Sequence, residues 1–353
     1  MVTFFLDFGM LSEYLWHSLR AGGCGTVLAL PDRAFRFGTT DLMSTIPLAF
    51  PDLRARMISL VRDYAELTKL RVTTLIVMTA WCGYFFGAHK VGISWLNLGL
   101  LHALFGIGLV SSGTAALNEV MEQDVDAQMR RTARRPLPAG RMSVLHATVV
   151  GLLATLGGSV YLALTTNFLT GILTLLTSVV YLAAYTPLKR ISPICTFVGA
   201  FPGAMPGVLG WTAASGQVDL GTLALFAILF VWQFPHFFSI AWLYRDDYAK
   251  GGVKMLPVVE EDGRSTGRRI LAYSVALIPI SILPTFLGMA GKVYLLGAIG
   301  LGIALLYFGV RLAFLNLPLS AAASKTRARH VLQATVIYLP LLFVLMTVNS
   351  PHV

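Results

Sequence analysis

From residue 70 onward the chain repeats one pattern, an apolar run of about 18 to 25 residues followed by a short polar break. A helix rises about 1.5 Å per residue, so roughly 20 apolar residues cross the ~30 Å hydrocarbon layer of a bilayer. Nine such runs, at approximately 70–88, 95–117, 143–164, 168–186, 194–214, 220–243, 270–289, 293–312 and 331–349, predict an all-α polytopic membrane protein, a bundle of about nine transmembrane helices. Composition agrees: 56% of the 353 residues are hydrophobic and 12% charged, far from the usage of a soluble domain.

The net charge of +10 looks like a nucleic-acid signal until it is located. It sits in the breaks beside the spans, where it sets topology, and no nucleic-acid partner is expected. With the N-terminus cytoplasmic, the even-numbered breaks and the N-terminal segment collect nearly all lysines and arginines, leaving Lys90 and Lys292 on the far side. A central cavity is then expected to open to the cytoplasmic side. Cys24, Cys82 and Cys195 are scattered and show neither a disulfide framework nor a zinc spacing. Residues 1–52 contain no sustained span and carry five acidic against three basic residues, which argues against a signal or transit peptide. We expect a poorly ordered extension there, with Met57 as an alternative start, and a transmembrane domain over 53–353.

Residues 118–141, NEVMEQDVDAQMRRTARRPLPAGR, hold four acidic residues and five arginines just after an apolar run. On a helix turning about 100° per residue, Asn118, Glu122 and Asp126 drift by only about 40° per step, so three oxygen-bearing side chains share one face. Acidic groups at the end of a span are expensive unless paired, and two carboxylates this close favour a shared proton or a bridging cation. Mg²⁺ suits such hard oxygen ligands and keeps positions open for substrate phosphates, and arginines grip phosphate bidentately. Arg131 and Arg135, four apart, share a face if a helical turn continues. The stretch reads as a diphosphate site, while Arg130 and Arg134 read as a solvated helix end.

A second cluster lies in WQFPHFFSIAWLYRDDYAKGGVKMLPV, residues 232–258, with His236 inside an apolar span and Asp246 and Asp247 at its end. Adjacent helical residues point about 100° apart, so one carboxylate is expected to face the metal, Asp247, with Asp246 solvated or salt-bridged. His236 either bonds a neighbouring helix or serves as a porphyrin contact or proton carrier. Lys189 and Arg190, closing the fourth span, are either topology anchors or contacts to diphosphate or propionate. In the second and fifth spans, small residues such as Gly106, Gly113, Gly203 and Gly210 favour close helix packing, and Pro202 and Pro206 are expected to loosen the fifth.

Together these residues resemble the UbiA-type intramembrane prenyltransferases, over about residues 60 to 349. The resemblance rests on DYAELTKLRV before the first span, on N-x-x-x-E-x-x-x-D followed by RTARRPLPAGR, on YTPLKR, on VGAFPGAMPGVLGW and on WQFPHFFSIAWLYRDDY with MLPV after it. Glu122, where many relatives carry Asp, and the WQFPHF segment are similar to the branch that acts on haem. Two features depart from the family: Asp246–Asp247 with Lys250 replace a second D-x-x-x-D, and Leu70 replaces a common proline. The resemblance implies transfer of a farnesyl group from farnesyl diphosphate to a vinyl group of haem B with Mg²⁺, in the bacterial inner membrane, and a haem A synthase as downstream partner. The implied ligands are Asn118, Glu122, Asp126 and Asp247, with Arg131, Arg135, Lys189, Arg190 and His236 binding diphosphate or haem. A prenyltransferase for 4-hydroxybenzoate is the nearest alternative. A transporter is the other, but it is expected to place charge near the midplane.

Overall fold

The computed structural model describes residues 53–314 and 319–351. The expected extension at 1–52 lies outside the described residues. Among the described residues a short helix, α1 (Leu53–Leu67), leads into nine long ones: α2 (Leu70–Lys90), α3 (Leu98–Met121), α5 (Val144–Thr165), α6 (Phe168–Leu188), α7 (Cys195–Ser215), α8 (Leu220–Leu243), α11 (Arg264–Phe286), α12 (Lys292–Ala313) and α13 (Ala322–Val348). Three short helices sit between them at one end of the bundle, α4 (Gln123–Gln128) after α3, then α9 (Arg245–Lys250) and α10 (Leu256–Val259) after α8.

Eight of the nine long helices are apolar enough to cross a membrane. The other, α7, has the length but is diluted by Gly199, Gly203, Gly207, Gly210, Pro202 and Pro206. It tolerates this because much of it, from Pro202 through Thr212, is covered by neighbouring helices rather than lipid. Polar side chains start several helices: Asn97, Ser143, Asn167 and Asp219 each accept a hydrogen bond from a backbone N–H three residues on, satisfying a donor that has no intrahelical partner.

Consecutive long helices pack side by side around a central space, and α7 also lies against α2. Glycine makes that approach possible. A Cβ on Gly210 would collide with the Ala80 carbonyl, and one on Gly83 with the Gly207 carbonyl. The same device joins α3 to α5, where a Cβ on Gly113 would come within 2.6 Å of Thr155 Oγ1. Between lipid-facing helices there is no hydrophobic gain in association, so close backbone contact supplies dispersion instead.

The α6 helix departs from regular geometry at Val180–Tyr185, which forms a π-helical segment. Pro187 follows it and has no N–H to return to the carbonyl four residues earlier, so the α register is interrupted there. The Thr186 N–H and its hydroxyl both donate to the Tyr181 carbonyl, the hydroxyl at 2.9 Å. The wider turn leaves Tyr181 and Tyr185 on the wall of the central cavity.

Candidate functional site

The α3 helix ends at Met121 and α4 begins at Gln123, but the ladder survives the junction. The Glu122 N–H donates to the Asn118 carbonyl at 3.0 Å and the Asp126 N–H to the Glu122 carbonyl at 2.8 Å, which keeps all three in helical register. Each then meets a cation from elsewhere in the chain. Lys69 Nζ donates to Asn118 Oδ1 at 2.6 Å, Lys189 Nζ to Glu122 Oε1 at 2.8 Å, and Arg135 Nη1 to Asp126 Oδ2 at 2.5 Å. Asn118 Nδ2 in turn donates to Thr186 Oγ1 at 3.0 Å, tying the ladder to the π-helical segment.

Lys69 and Glu119 belong to this cluster although the sequence reading passed over both. Lys69 sits at φ 47, a left-handed conformation that among the described residues only it and glycines adopt. A bulky side chain there is strained by about 1 kcal/mol or more, and the conformation sends a buried ammonium to Asn118. Glu119 is 0% exposed; Arg135 Nε lies 3.4 Å from its Oε1, yet neither carboxylate oxygen accepts a hydrogen bond. Its signal was available: Glu119 and Glu122 are three apart, neighbours on a helix surface.

The charges tune one another. Burial, and then Arg135, push Lys69 down to about 8. Burial alone would raise Glu122, but Lys189, Lys69 and Arg135 outweigh it and hold the carboxyl below the ordinary carboxylate range. Burial likewise works against Lys189, and Glu122 overcomes it, keeping the ammonium charged well above its usual range.

The remaining expected residues divide. Arg131 and Arg135 are not on a continuing helix, since α4 stops at Gln128, yet both border the same cavity. Arg131 lies between two rings, 5.0 Å from the centroid of Tyr244 and 5.1 Å from that of Tyr248. Its Nε and Nη1 are buried without hydrogen-bond partners. Asp247 is close enough to favour the Arg131 charge but borders none of the three cavities described below. Its neighbour Asp246 is exposed and pairs with Lys325 at 3.4 Å. Arg190 is exposed and stands outside the cluster. His236 is buried in α8, with Nδ1 2.9 Å from Thr335 Oγ1 and its ring stacked on Trp232 at 4.7 Å.

Three cavities meet along the middle of the bundle, and Phe237 borders all of them. The charged one, about 620 Å³, is bordered by Glu122, Asp126, Arg131, Arg135 and Lys189. The next, about 790 Å³, carries Lys69 at one end and Tyr181, Tyr185 and Pro202 along its wall. The third, about 890 Å³, is apolar apart from Gln233, His236 and a few hydroxyls. Met78 and Val344, 58% and 55% exposed, mark where this last chamber meets the lipid-facing surface between α2 and α13.

Among the described residues, no three carboxylate, histidine or cysteine side chains converge as a metal-ligating cluster. The donor set nevertheless suits a hard cation: Asn118, Glu119, Glu122 and Asp126 offer only oxygen toward it, and the buried Glu119 oxygens accept no hydrogen bond. Lys69, Lys189 and Arg135 currently answer that charge.

Comparison with known proteins gives the fold a lineage. The profile of the UbiA prenyltransferase family matches residues 76–332. A relative from Koribacter versatilis (strain Ellin345), named protoheme IX farnesyltransferase, is 59% identical over 86% of this chain and 98% of its own. Another of that name from Solibacter usitatus (strain Ellin6076) is 48% identical over 82% of this chain and 99% of its own. A solved structure concerning digeranylgeranylglyceryl phosphate synthase in membranes superposes with a TM-score of 0.66 at 17% identity, covering 83% of this chain and 99% of that one. A UbiA homologue from Archaeoglobus fulgidus bound to DMAPP and Mg²⁺ superposes at 0.52 and 19% identity, covering 80% of this chain and 99% of that one. At such identities the structures speak for the fold, and the sequence relatives for the lineage: the chain belongs to the UbiA prenyltransferase family.

Proposed function

We propose that this chain transfers the farnesyl group of farnesyl diphosphate to a vinyl group of haem B, giving haem O and inorganic diphosphate for haem-copper oxidase biogenesis. The relatives named above support this acceptor over 4-hydroxybenzoate and over a transporter. The geometric observation that carries it is the run of cavities from a charged end to an apolar chamber holding His236 and Trp232. One end suits a diphosphate and the other a large apolar acceptor.

Lys189 and Arg135 border the charged cavity, and Lys69 borders the cavity beside it. When a diphosphate enters, their charges turn from Asn118, Glu122 and Asp126 to phosphate oxygens and stabilise the negative charge released as the C1–O bond breaks. Mg²⁺ held by Asn118, Glu119, Glu122 and Asp126 would supply further neutralisation of the leaving group, while Asp247, outside the cavities, acts through the charge of Arg131. The Tyr181 and Tyr185 rings on the adjoining wall offer π faces to the allylic cation. The terminal vinyl carbon then bonds to C1, and the cation left beside the porphyrin takes up water and loses a proton. Haem, farnesyl diphosphate and water thus become haem O and diphosphate.

The positive-inside bias supports a carboxylate end that faces the cytoplasm from a bacterial inner membrane. Residues 53–353 form the catalytic unit, and a haem A synthase takes the product. Membranes carrying the chain, incubated with labelled farnesyl diphosphate, haem B and 4-hydroxybenzoate, should yield labelled haem O. Label appearing in 4-hydroxybenzoate and not in haem would overturn the assignment.

A further inference from the structure

The end of the bundle away from the carboxylates holds a separate cavity of about 970 Å³, where the end of α2, the start of α8 and the turn after α11 meet. None of its lining residues borders the three cavities of the transfer site. Trp211 of α7 forms one wall and is 2% exposed. Glycines lock the residue in place. A Cβ on Gly221 would run into its six-membered ring, and one on Gly87 would come within 2.6 Å of its carbonyl oxygen. So held, the indole leaves its one donor, Nε1–H, buried without an acceptor.

Asp219 supplies the opposite group. Its Oδ1 accepts from the Thr222 N–H at 3.1 Å and from the Thr222 hydroxyl at 3.2 Å, capping α8. Its Oδ2 is buried and has no donor. A buried donor and a buried acceptor left over on two residues that line one cavity are unfavourable until something pairs with both. Lys90 lies on the same lining, and Leu220 and Leu287, 68% and 39% exposed, give the rim an apolar edge.

We infer that this cavity binds a phosphoethanolamine group, with its primary ammonium on Asp219 Oδ2 and its phosphate on Trp211 Nε1–H and Lys90. A choline group has no N–H to give the carboxylate, and a phosphoglycerol group has no cation to set against it, so the chemistry selects the ethanolamine. The position at helix ends, beside apolar rim residues, suits the head of a phospholipid whose chains run down the lipid-facing surface.

The test uses the full chain in detergent, offered equal amounts of phosphatidylethanolamine, phosphatidylcholine and phosphatidylglycerol, with retention read by native mass spectrometry. Phosphatidylethanolamine should be retained about tenfold over the other two, the value of one charge-assisted hydrogen bond. Asp219→Asn keeps a capping oxygen but not the carboxylate, and Trp211→Phe keeps the ring but not the donor. Each should lower that retention about tenfold and leave prenyl transfer unchanged. Displacement by soluble phosphoethanolamine would place the recognition in the headgroup alone, and its failure to displace a retained lipid would place it in the whole lipid; either supports the site. Equal retention of all three lipids by the unmodified chain overturns the inference, as does unchanged retention in both variants, and the first result needs no variant to fold.

Discussion

Glu122 and Lys189 are 67 residues apart in the chain and 2.8 Å apart in the fold, and neither is fully buried. Such a pair can part when a stronger anion and cation arrive, which is what a diphosphate with its metal would require. Glu122→Ala or Asp126→Ala should therefore reduce farnesyl transfer by roughly 10²–10³ or more, the usual loss on removing one preorganised charge-stabilising group. The protein should still insert, since the lost group serves a ligand, and an assay of membrane-bound protein alongside turnover checks both points. Chelation by EDTA should stop the reaction and Mg²⁺ restore it. His236, in the apolar chamber, should behave differently. His236→Ala is expected to weaken haem binding, read from the Soret band, while farnesyl diphosphate affinity holds. Unchanged haem binding would make it only the partner of Thr335.

The contact between α2 and α7 depends on the absence of side chains, so substitutions there test an element and not a site. Gly83→Val or Gly210→Leu places atoms where the facing backbone already stands, and overpacking of this kind costs about 1–3 kcal/mol or more. A fall in the melting temperature of the detergent-solubilised protein would register it. Gly157 of α5 is the control, because a Cβ there meets nothing within 4 Å. Gly157→Ala should be neutral or stabilise by up to ~1 kcal/mol through helix propensity. The π-helical segment of α6 is the other element-level device, since it sets Tyr181 and Tyr185 on the cavity wall and carries Thr186 to Asn118.

The whole bundle has a polarity that a labelling experiment reads. Gln217 lies in the loop between α7 and α8, Lys250 at the end of α9, and both are exposed. With one helix between them they must face opposite sides of the membrane. In a background lacking Cys24, Cys82 and Cys195, a cysteine at Lys250 should react with an impermeant thiol reagent only from the cytoplasmic side, and one at Gln217 only from the other. The reverse result would invert the orientation inferred from the basic loops.

The apolar runs alone determined a helical membrane bundle, because a span's length and apolarity are properties of one segment facing one solvent. The Asn118, Glu122 and Asp126 ladder was equally legible, since helical periodicity is local and the register outlasts the break at Met121. What tertiary structure alone decided were the partners. Lys69, Lys189 and Arg135 reach the ladder from three separate stretches, and only packing selects them while leaving Arg190 outside. The same holds for Lys69 at φ 47 and for the π-helical turn, whose backbone conformations stand only because surrounding contacts hold them. It holds too for Trp211 and Asp219, which line one cavity because glycines let α2, α7 and α8 close around them.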